Sequence, residues 1–325
     1  MIRSCHRGPL VCDAHPAPID HGADDWKSPA WQPNMTAAAP RALDRPGPPS
    51  EGRRHAFTVD VEDWHQGIPI TSEQKASAEH RLERGLDRLL DALAAREVRG
   101  TFFILGPIAE RYPGVVRRIA AAGHELGCHG WSHDLLYRMT PDRLRDETVR
   151  ALDVIHEVAG QKVDAYRAAY FSITRQSFWA LDVLAGLGIR YDSSIYPVHN
   201  WRYGIPEFDP RPQRIETSAG PIFELPISVR RMFGRNLPVS GGAYFRLYPY
   251  ALSRANVRAA EREGRPVVFY LHPWELDPGH PRVSFHWKAR LTHYANLRST
   301  EAKLDRLLDE FAFGPLGEVL EDEFV

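Results

Sequence analysis

Residues 123–133 have the sequence GHELGCHGWSH, in which a short apolar strand, predicted over 125–128, leads into a loop with two histidines. His129 and His133 are four residues apart, so both imidazole rings can point to one position. A carboxylate from elsewhere in the chain would complete a set of three protein ligands. Three protein ligands with an open position for water are typical of a catalytic zinc site, whereas four ligands close a structural site. The stretch therefore indicates metal-assisted hydrolysis.

A cluster of carboxylates stands far upstream, where the predicted strand 56–59 ends. Asp60, Glu62 and Asp63 lie within four residues, and like charges this close are costly unless a cation neutralises them. If strand geometry continues, Asp60 and Glu62 share one face of the strand and Asp63 lies on the other, unless the chain turns. A solvated turn is the alternative interpretation of this cluster.

Short apolar strands alternate with helical patterns along the rest of the chain, which favours an α/β architecture with parallel strands. The later strands are predicted over 101–105, 188–191, 222–226 and 266–271. Titratable residues repeatedly follow the strands, and Arg167, Asp192 and His272 are the downstream examples. In α/β barrels the catalytic residues collect at the carboxyl ends of the strands. One barrel-like site would therefore gather the acidic cluster, the two histidines and these three residues.

The composition limits the function classes. The chain has 325 residues, of which 43% are hydrophobic, so it can bury a sizeable core. Its net charge of −1 argues against electrostatic binding to nucleic acid or to a membrane surface. No stretch approaches the roughly 18 consecutive apolar residues of a transmembrane helix, so no membrane span is expected.

The first 54 residues are rich in Pro, Ala, Asp and Arg without an apolar period, and we predict that residues 1–54 are disordered. The N-terminus shows no basic-then-apolar signal sequence. The three cysteines form neither a disulfide framework nor a paired zinc-ligand spacing. A cytoplasmic protein is therefore expected.

Taken as an ordered set, these motifs resemble the polysaccharide deacetylase family, the NodB homology domain of carbohydrate esterase family 4. The motifs that carry the resemblance are TVDVED (58–63), TFF (101–103), GHELGCHGWSH (123–133), RAAY (167–170), YDSS (191–194) and LHP (271–273). The resemblance covers residues 55–280. The start DVEDW and the WELDP after His272 look like the branch found with exosortase A-associated exopolysaccharide clusters, in which a C-terminal extension follows, here 281–325.

The resemblance implies a distorted (β/α)7 barrel and a metal-dependent N-deacetylase of N-acetylhexosamine. It also implies a role for each matching residue. The matches are Asp60 for the catalytic base, His129 and His133 for the metal histidines, Arg167 for the arginine that tethers the base, Tyr170 for the backbone N–H of the oxyanion hole, His272 for the general acid, and Asp192 for the aspartate that orients it.

Three departures from the family pattern affect this reading. The usual start Thr-Phe-Asp-Asp-Gly is absent, so either Glu62 or Asp63 could be the metal carboxylate, and a gapless comparison favours Glu62. Gly130 replaces the usual Ser or Thr after the first metal histidine, and Ala169 replaces the usual proline. The cofactor implied is one divalent metal ion, with Zn²⁺ as the first choice.

The lead hypothesis is an enzyme that deacetylates a polysaccharide or its precursor in exopolysaccharide biosynthesis, with an N-acetylated glycan as its partner and no nucleic acid. One alternative is an allantoinase-like amidohydrolase that acts on a small cyclic amide, because that branch shares the barrel and similar motifs. The other is a non-catalytic glycan-binding barrel, which losses at the base or metal positions would favour. The sequence does not address the oligomeric state.

Overall fold

The computed structural model describes residues 52–200 and 202–324. The segment 1–54, predicted to be disordered, therefore lies outside the described residues except for its last three positions. The division into a domain over 55–280 and an extension over 281–325 stays a prediction.

Nearly all strands belong to one curled sheet. The strands of the described chain are β1 (His55–Val61), β2 (Thr101–Ile104), β3 (Glu125–Cys128), β4 (Ala165–Tyr166), β5 (Tyr191–Asp192), β6 (Gln213–Thr217), β7 (Gly220–Glu224), β8 (Val229–Met232), β9 (Arg235–Pro238), β10 (Val268–Leu271) and β11 (Phe313–Gly314). Seven of them pair in parallel in the order β10-β1-β2-β3-β4-β5-β7. β6 pairs antiparallel with β7, β11 pairs with β1, and β8 and β9 form a separate hairpin.

The sheet is a curled half-barrel. Within the described ranges its two edge strands, β10 and β6, do not pair with each other, so the ring of hydrogen bonds is open. The parallel strands are buried on both faces, and every residue of β1 and β2 is buried, including the polar ones. The α/β architecture with parallel strands is confirmed. The main path has seven parallel strands, the number that the family resemblance implies, and β11 is an eighth parallel strand beside β1.

Most of the helices pack on the outside of the sheet. The helices of the described chain are α1 (Ser72–Ala76), α2 (Leu82–Ala94), α3 (Gly106–Arg111), α4 (Pro113–Ala121), α5 (Pro141–Ala159), α6 (Ala180–Gly186), α7 (Gly242–Leu247), α8 (Tyr250–Arg262), α9 (Trp287–Tyr294), α10 (Thr300–Glu310) and α11 (Leu316–Phe324). Local signals begin and end α5, because Thr140 caps its first turn and Gly160 ends it with a left-handed φ of 65°. Across the described ranges, no helix combines the length and the apolar character needed to cross a bilayer.

Side chains of the parallel strands alternate between two cores. Phe57, Val59 and Val61 of β1 pack in the larger core, together with the helices outside the sheet. Ala56 of β1 and Phe103 of β2 belong to a second core inside the curl. We call these two sides the outer face and the inner face. The period of two then decides which titratable residues meet when the strands end.

The last residues of the chain close the inner core at the amino ends of the strands. β11 pairs with the first residues of β1, where Phe313 lies opposite His55. α11 then contributes Leu316, Val319 and Leu320 to the inner core. The N–H of Leu316 also donates to the Thr101 hydroxyl at 2.7 Å. The C-terminal helix is therefore part of the packing of the half-barrel, at the end opposite the titratable residues.

The buried position of α11 predicts a large loss of stability on truncation of its anchor. Because Leu316 is 0% exposed, Leu316→Ala should lower the free energy of unfolding by about 2–5 kcal/mol. Urea unfolding followed by circular dichroism measures this change. Leu252→Ala on the exposed side of α8 is the matched control and should change it by less than about 1 kcal/mol. A small effect at Leu316, equal to that at Leu252, would contradict a structural role for α11.

Candidate active site

Polar side chains gather at the carboxyl ends of the parallel strands. They lie on the inner face of the sheet. Each follows an outward apolar or aromatic residue. Asp60 follows Val59, Glu62 follows Val61, His129 follows Cys128, Arg167 follows Tyr166, and His272 follows Leu271. Because alternation along a strand has a period of two, all five point inward at the same end of the half-barrel. The structure thus brings together these five predicted site residues.

Glu62, His129 and His133 form what we call the ligand cluster. The Glu62 Oε1 atom lies 3.0 Å from His129 Nε2 and 2.7 Å from His133 Nε2. One ligand atom from each residue lies within 4.8 Å of the other two. The glutamate and the first histidine are buried, and His133, at the mouth of the cluster, is 11% exposed. His133 reaches this position with a left-handed φ of 56°, so the loop backbone bends to turn its ring inward.

The orientation of His129 suits a metal ligand. Its Nδ1–H donates to the Arg167 carbonyl at 2.7 Å, which leaves Nε2 to face Glu62. Histidines that bind metals in proteins commonly donate their other ring N–H in this way. Two imidazole nitrogens and one carboxylate oxygen also match the donor set of three-ligand catalytic zinc sites. The residues present therefore fit a divalent metal ion.

The carboxylate and the imidazoles of the ligand cluster shift each other's pKa toward the charged forms. Burial alone would raise the pKa of the Glu62 carboxyl, but His133 and His129 beside it hold that pKa well below the usual range. Burial likewise opposes protonation of His129, yet its hydrogen bond to Glu62 raises its pKa. Glu62 is therefore an ionised carboxylate in a buried position, which is the form that binds a cation.

Arg167 fixes the predicted base. Its Nη1 donates to Asp60 Oδ1 and to the Thr58 hydroxyl, both at 2.8 Å. Its Nε and Nη2 donate to the carbonyl and hydroxyl of Ser193. The guanidinium is 0% exposed and also lies 4.3 Å from the centre of the Phe103 ring. Asp60 is thus held by one oxygen, and its Oδ2 faces the site.

His272 stands across from that free oxygen. Its Nε2 lies 3.9 Å from Asp60 Oδ2, and its Nδ1–H donates to Glu275 Oε1 at 2.8 Å. Glu275 is buried and accepts a further hydrogen bond from Arg246 at 2.6 Å. Burial lowers the pKa of His272, but the Glu275 carboxylate and the carboxylates of the site outweigh it and raise that pKa to about 9. Burial raises the pKa of Glu275, but Arg246 and His272 outweigh burial and lower that pKa to about 2.

The structure does not bring Asp192 to His272, with which the sequence analysis paired it, because Asp192 has the opposite parity. It lies beside Tyr166 in the strand register, and Tyr166 packs in the outer core. Its carboxylate accepts from the Ser194 hydroxyl at 2.7 Å and pairs with Glu224 on the neighbouring strand. Burial raises the pKa of both carboxyls. Asp192 is therefore a structural carboxyl behind the site.

Asp63 also has outward parity, and the structure does not bring it to the ligand cluster. Its Oδ2 accepts from the N–H groups of Arg81 and Leu82 at 2.9 and 3.3 Å, at the start of α2. The same oxygen lies 2.8 Å from His80 Nδ1, and Oδ1 accepts from the N–H of Trp64. Free N–H groups at a helix start favour such a carboxylate. Of the two carboxylates left open by the sequence, Glu62 is the one beside the histidines.

Tyr170 lies at the rim of the ligand cluster. Its ring centre is 4.6 Å from that of His133, and its backbone has a left-handed φ of 56°. Phe171 beside it has a φ of 54°, so two consecutive residues without a glycine adopt this uncommon conformation. Such strain recurs at functional sites. The oxyanion role of the Tyr170 N–H stays a prediction.

Comparisons with known proteins point to one group of enzymes. Residues 78–191 match the family model "Polysaccharide deacetylase", and residues 193–321 match "Domain of unknown function (DUF3473)". A peptidoglycan-N-acetylglucosamine deacetylase of Bacillus cereus is 31% identical over 118 residues, 33% of this chain and 43% of that protein. A chitooligosaccharide deacetylase of Bradyrhizobium sp. is 32% identical over 99 residues, 30% of this chain and 45% of that protein. Over residues 78–191 the chain is therefore similar to polysaccharide deacetylases.

The polysaccharide deacetylase likeness extends to the fold. A crystal structure from Mycobacterium smegmatis, described as a candidate polysaccharide deacetylase, has a TM-score of 0.59 at 23% identity. The superposition covers 86% of this chain and 94% of that chain. Puue allantoinase has a TM-score of 0.56 at 15% identity, over 87% of this chain and 96% of its own. These two likenesses concern the fold alone, and the chain spans less than half the length of the curated relatives it matches.

The sequence interpretation missed two residues of this site. Glu275 accepts a hydrogen bond from His272. Ser193 accepts two hydrogen bonds from Arg167, which also donates to Asp60. A signal for Glu275 exists, because Glu three residues after a helix cap, with Pro between, is the spacing at which a side chain returns to the cap. The signal for Ser193 is its parity, which is opposite to that of Asp192.

The geometry predicts different outcomes for the two neighbouring carboxylates. Glu62→Gln should weaken the binding of a divalent metal by more than about 100-fold, because a direct ligand is lost. Asp63→Asn should keep the metal affinity and lower stability by about 1 kcal/mol through the cap of α2. Titration calorimetry with Zn²⁺ and thermal unfolding measure the two effects. Loss of metal binding in the Asp63 variant alone would reverse the assignment.

Proposed function

We propose that the protein is a metal-dependent hydrolase that removes N-acetyl groups from N-acetylhexosamine units of a polysaccharide or its precursor. The observation that carries this proposal is the pairing of Asp60 with His272. Their side chains, 3.9 Å apart, stand beside the ligand cluster on the inner face. A base, an acid and a metal site around one point are the groups that amide hydrolysis requires.

Asp60 has the geometry of a general base. Arg167 occupies Oδ1, and the carboxylate is 3% exposed, so Oδ2 is the oxygen left to accept a proton from an attacking water. A divalent ion held by Glu62, His129 and His133 would polarise the acetyl carbonyl and make that water easier to deprotonate. Arg167 keeps Asp60 oriented while the Asp60 carboxylate takes up the proton and loses its negative charge.

His272 has the geometry and the charge of a general acid. With a pKa of about 9 it carries a proton at neutral pH, and Glu275 accepts from Nδ1 and so directs Nε2–H toward the site. That proton would pass to the sugar nitrogen as the C–N bond breaks, so that a neutral amine leaves. The Tyr170 N–H would donate to the carbonyl oxygen as negative charge develops on it.

The finer assignments belong to this proposal as well. The names of the relatives mention N-acetylglucosamine and chitooligosaccharide, which both carry an N-acetyl group on a hexosamine. We extend that chemistry to this chain, with Zn²⁺ as the metal because the donors are two nitrogens and one oxygen. The role in exopolysaccharide synthesis, the exosortase-associated branch and the cytoplasmic location stay predictions. The allantoinase-like and purely glycan-binding alternatives are not favoured, since base, acid and ligand residues are all present in one site.

Acetate release tests the proposed reaction. Purified protein should release acetate from N-acetylglucosamine oligomers, a chelator should stop it, and added Zn²⁺ should restore it. Asp60→Asn should retain the metal and lower the rate by about 10²- to 10⁴-fold, because an amide cannot accept the proton. Acetate release that is unchanged by the chelator would contradict a metal-dependent reaction. Turnover of allantoin without acetate release would support the cyclic-amide alternative instead.

The pH dependence tests the acid and its partner. Activity should be present below the pKa of His272 and be lost as pH rises through it, because only the protonated ring can donate. Glu275→Gln should move this basic limb of the pH profile down by about 1–3 pH units, since a carboxylate that stabilises the imidazolium is removed. Asp192→Asn, on the outer face, should leave the limb in place.

The rate–pH profiles are to be recorded at saturating metal, with circular dichroism as the check of folding. If Asp192→Asn moves the limb and Glu275→Gln does not, Asp192 orients His272, as the family resemblance implies. If neither variant moves it, the leaving amine takes its proton from another group.

A further inference from the structure

A carboxylate-free basic segment lies near the C-terminus. Residues 278–300 contain Arg282, Lys288, Arg290 and Arg298 but no Asp or Glu, although the whole chain has a net charge of −1. All four cations are exposed. Within the described ranges none of them forms an ion pair with a carboxylate, whereas most other arginines of the helices do. The segment is therefore a local concentration of unneutralised positive charge.

Large apolar side chains are exposed in the same segment. Trp287 is 64% exposed and Leu291 is 56% exposed, and as positions i and i+4 they share one face of α9. Tyr294 and Arg290 continue that face, and together with Arg282 they line an open crevice of about 450 Å³. The opposite side of α9 is the packed side, since His293 is buried against Trp274. An outward face that combines tryptophan, leucine and arginine is unusual for a helix exposed only to water.

We propose that this face of α9 binds an anionic lipid surface. A helix that lies in a membrane interface combines Trp and Leu, which enter the boundary of the acyl chains, with Lys and Arg, which meet the anionic headgroups. Trp287 and Leu291 supply the apolar part here, and Arg282, Lys288 and Arg290 supply the charge. A soluble acidic glycan would satisfy the cations and stack on Trp287, but it would leave Leu291 in water. The lipid surface therefore accounts for more of the face than a glycan does.

The same helix is tied to the acid of the site. Arg246 of α7, which is 1% exposed, donates to the carbonyls of Thr292 and His293 at 2.7 and 3.0 Å, at the end of α9. Its Nε donates to Glu275, whose other oxygen holds His272. A protein bound through α9 would thus keep a fixed orientation of its catalytic end relative to the lipid surface.

Vesicle co-sedimentation of the full chain tests this proposal without any need for activity. The probes are vesicles of phosphatidylcholine alone and vesicles with about one third phosphatidylglycerol, at low and at high salt. We expect sedimentation with the anionic vesicles at low salt, at least about tenfold more than with the neutral ones. Arg282→Glu and Arg290→Glu should each weaken it by about fivefold or more. Trp287→Ala with Leu291→Ser should weaken it at both salt concentrations.

Matched controls come from other helices. Arg117→Glu on α4 reverses an exposed arginine, and Leu252→Ser on α8 removes a leucine that is 39% exposed, so both should bind as the parent does. Equal binding to neutral and anionic vesicles, no binding to either, or equal loss in the controls would overturn the proposal. Binding of a soluble polyuronate that depends on α9, without vesicle binding, would also overturn it and assign the face to acidic glycans. Acetate release from soluble oligomers should be unchanged in the α9 variants, so this test is separate from that of the proposed function.

Discussion

The buried guanidinium of Arg167 is the constraint on which the site depends. It is fully buried and uses its donors on Thr58 and Asp60 of β1 and on Ser193, which directly follows β5. Its own carbonyl accepts from His129, so one residue orients both Asp60, the proposed base, and a histidine of the ligand cluster. A buried charge is tolerated only when it is paired and its hydrogen bonds are satisfied. Removal of either Arg167 or Asp60 would therefore leave an uncompensated charge in the half-barrel.

Much of the arrangement could be predicted from the sequence. The strand-to-loop transitions at Asp60, His129 and His272 located the residues that meet, because parallel strands deliver their carboxyl ends to one place. Asp63 and Asp192 could not be placed in the same way. Each also lies at a strand end, but it is one residue away from an inward residue and therefore faces outward. Only the register shows that Tyr166 lies beside Asp192 and that both face outward. Parity along a strand of two residues cannot be determined without its neighbours.

Contacts between distant segments were beyond the sequence patterns. Arg246 belongs to a different element from Glu275, and nothing in its local pattern indicates that it donates to that carboxylate. The local charge of one segment also departs from the average over the chain. The value of −1 argued against a membrane-surface role, yet it is an average over a chain whose residues 278–300 carry positive charge alone. Electrostatic recognition depends on the local field, which such an average conceals.

The distribution of the site over the chain has a consequence for the history of the protein. His129, His133 and Arg167 lie in the stretch matched as polysaccharide deacetylase, His272 and Glu275 lie in the stretch of unknown function, and Asp60 and Glu62 precede both. Since α11 also completes the inner core, neither stretch is a module that recombination could exchange intact. A chimera that takes one half from a distant relative would have to match the other half at the hydrogen bonds of Arg167 and Glu275. We therefore expect the two halves to have been inherited together and to have changed in step.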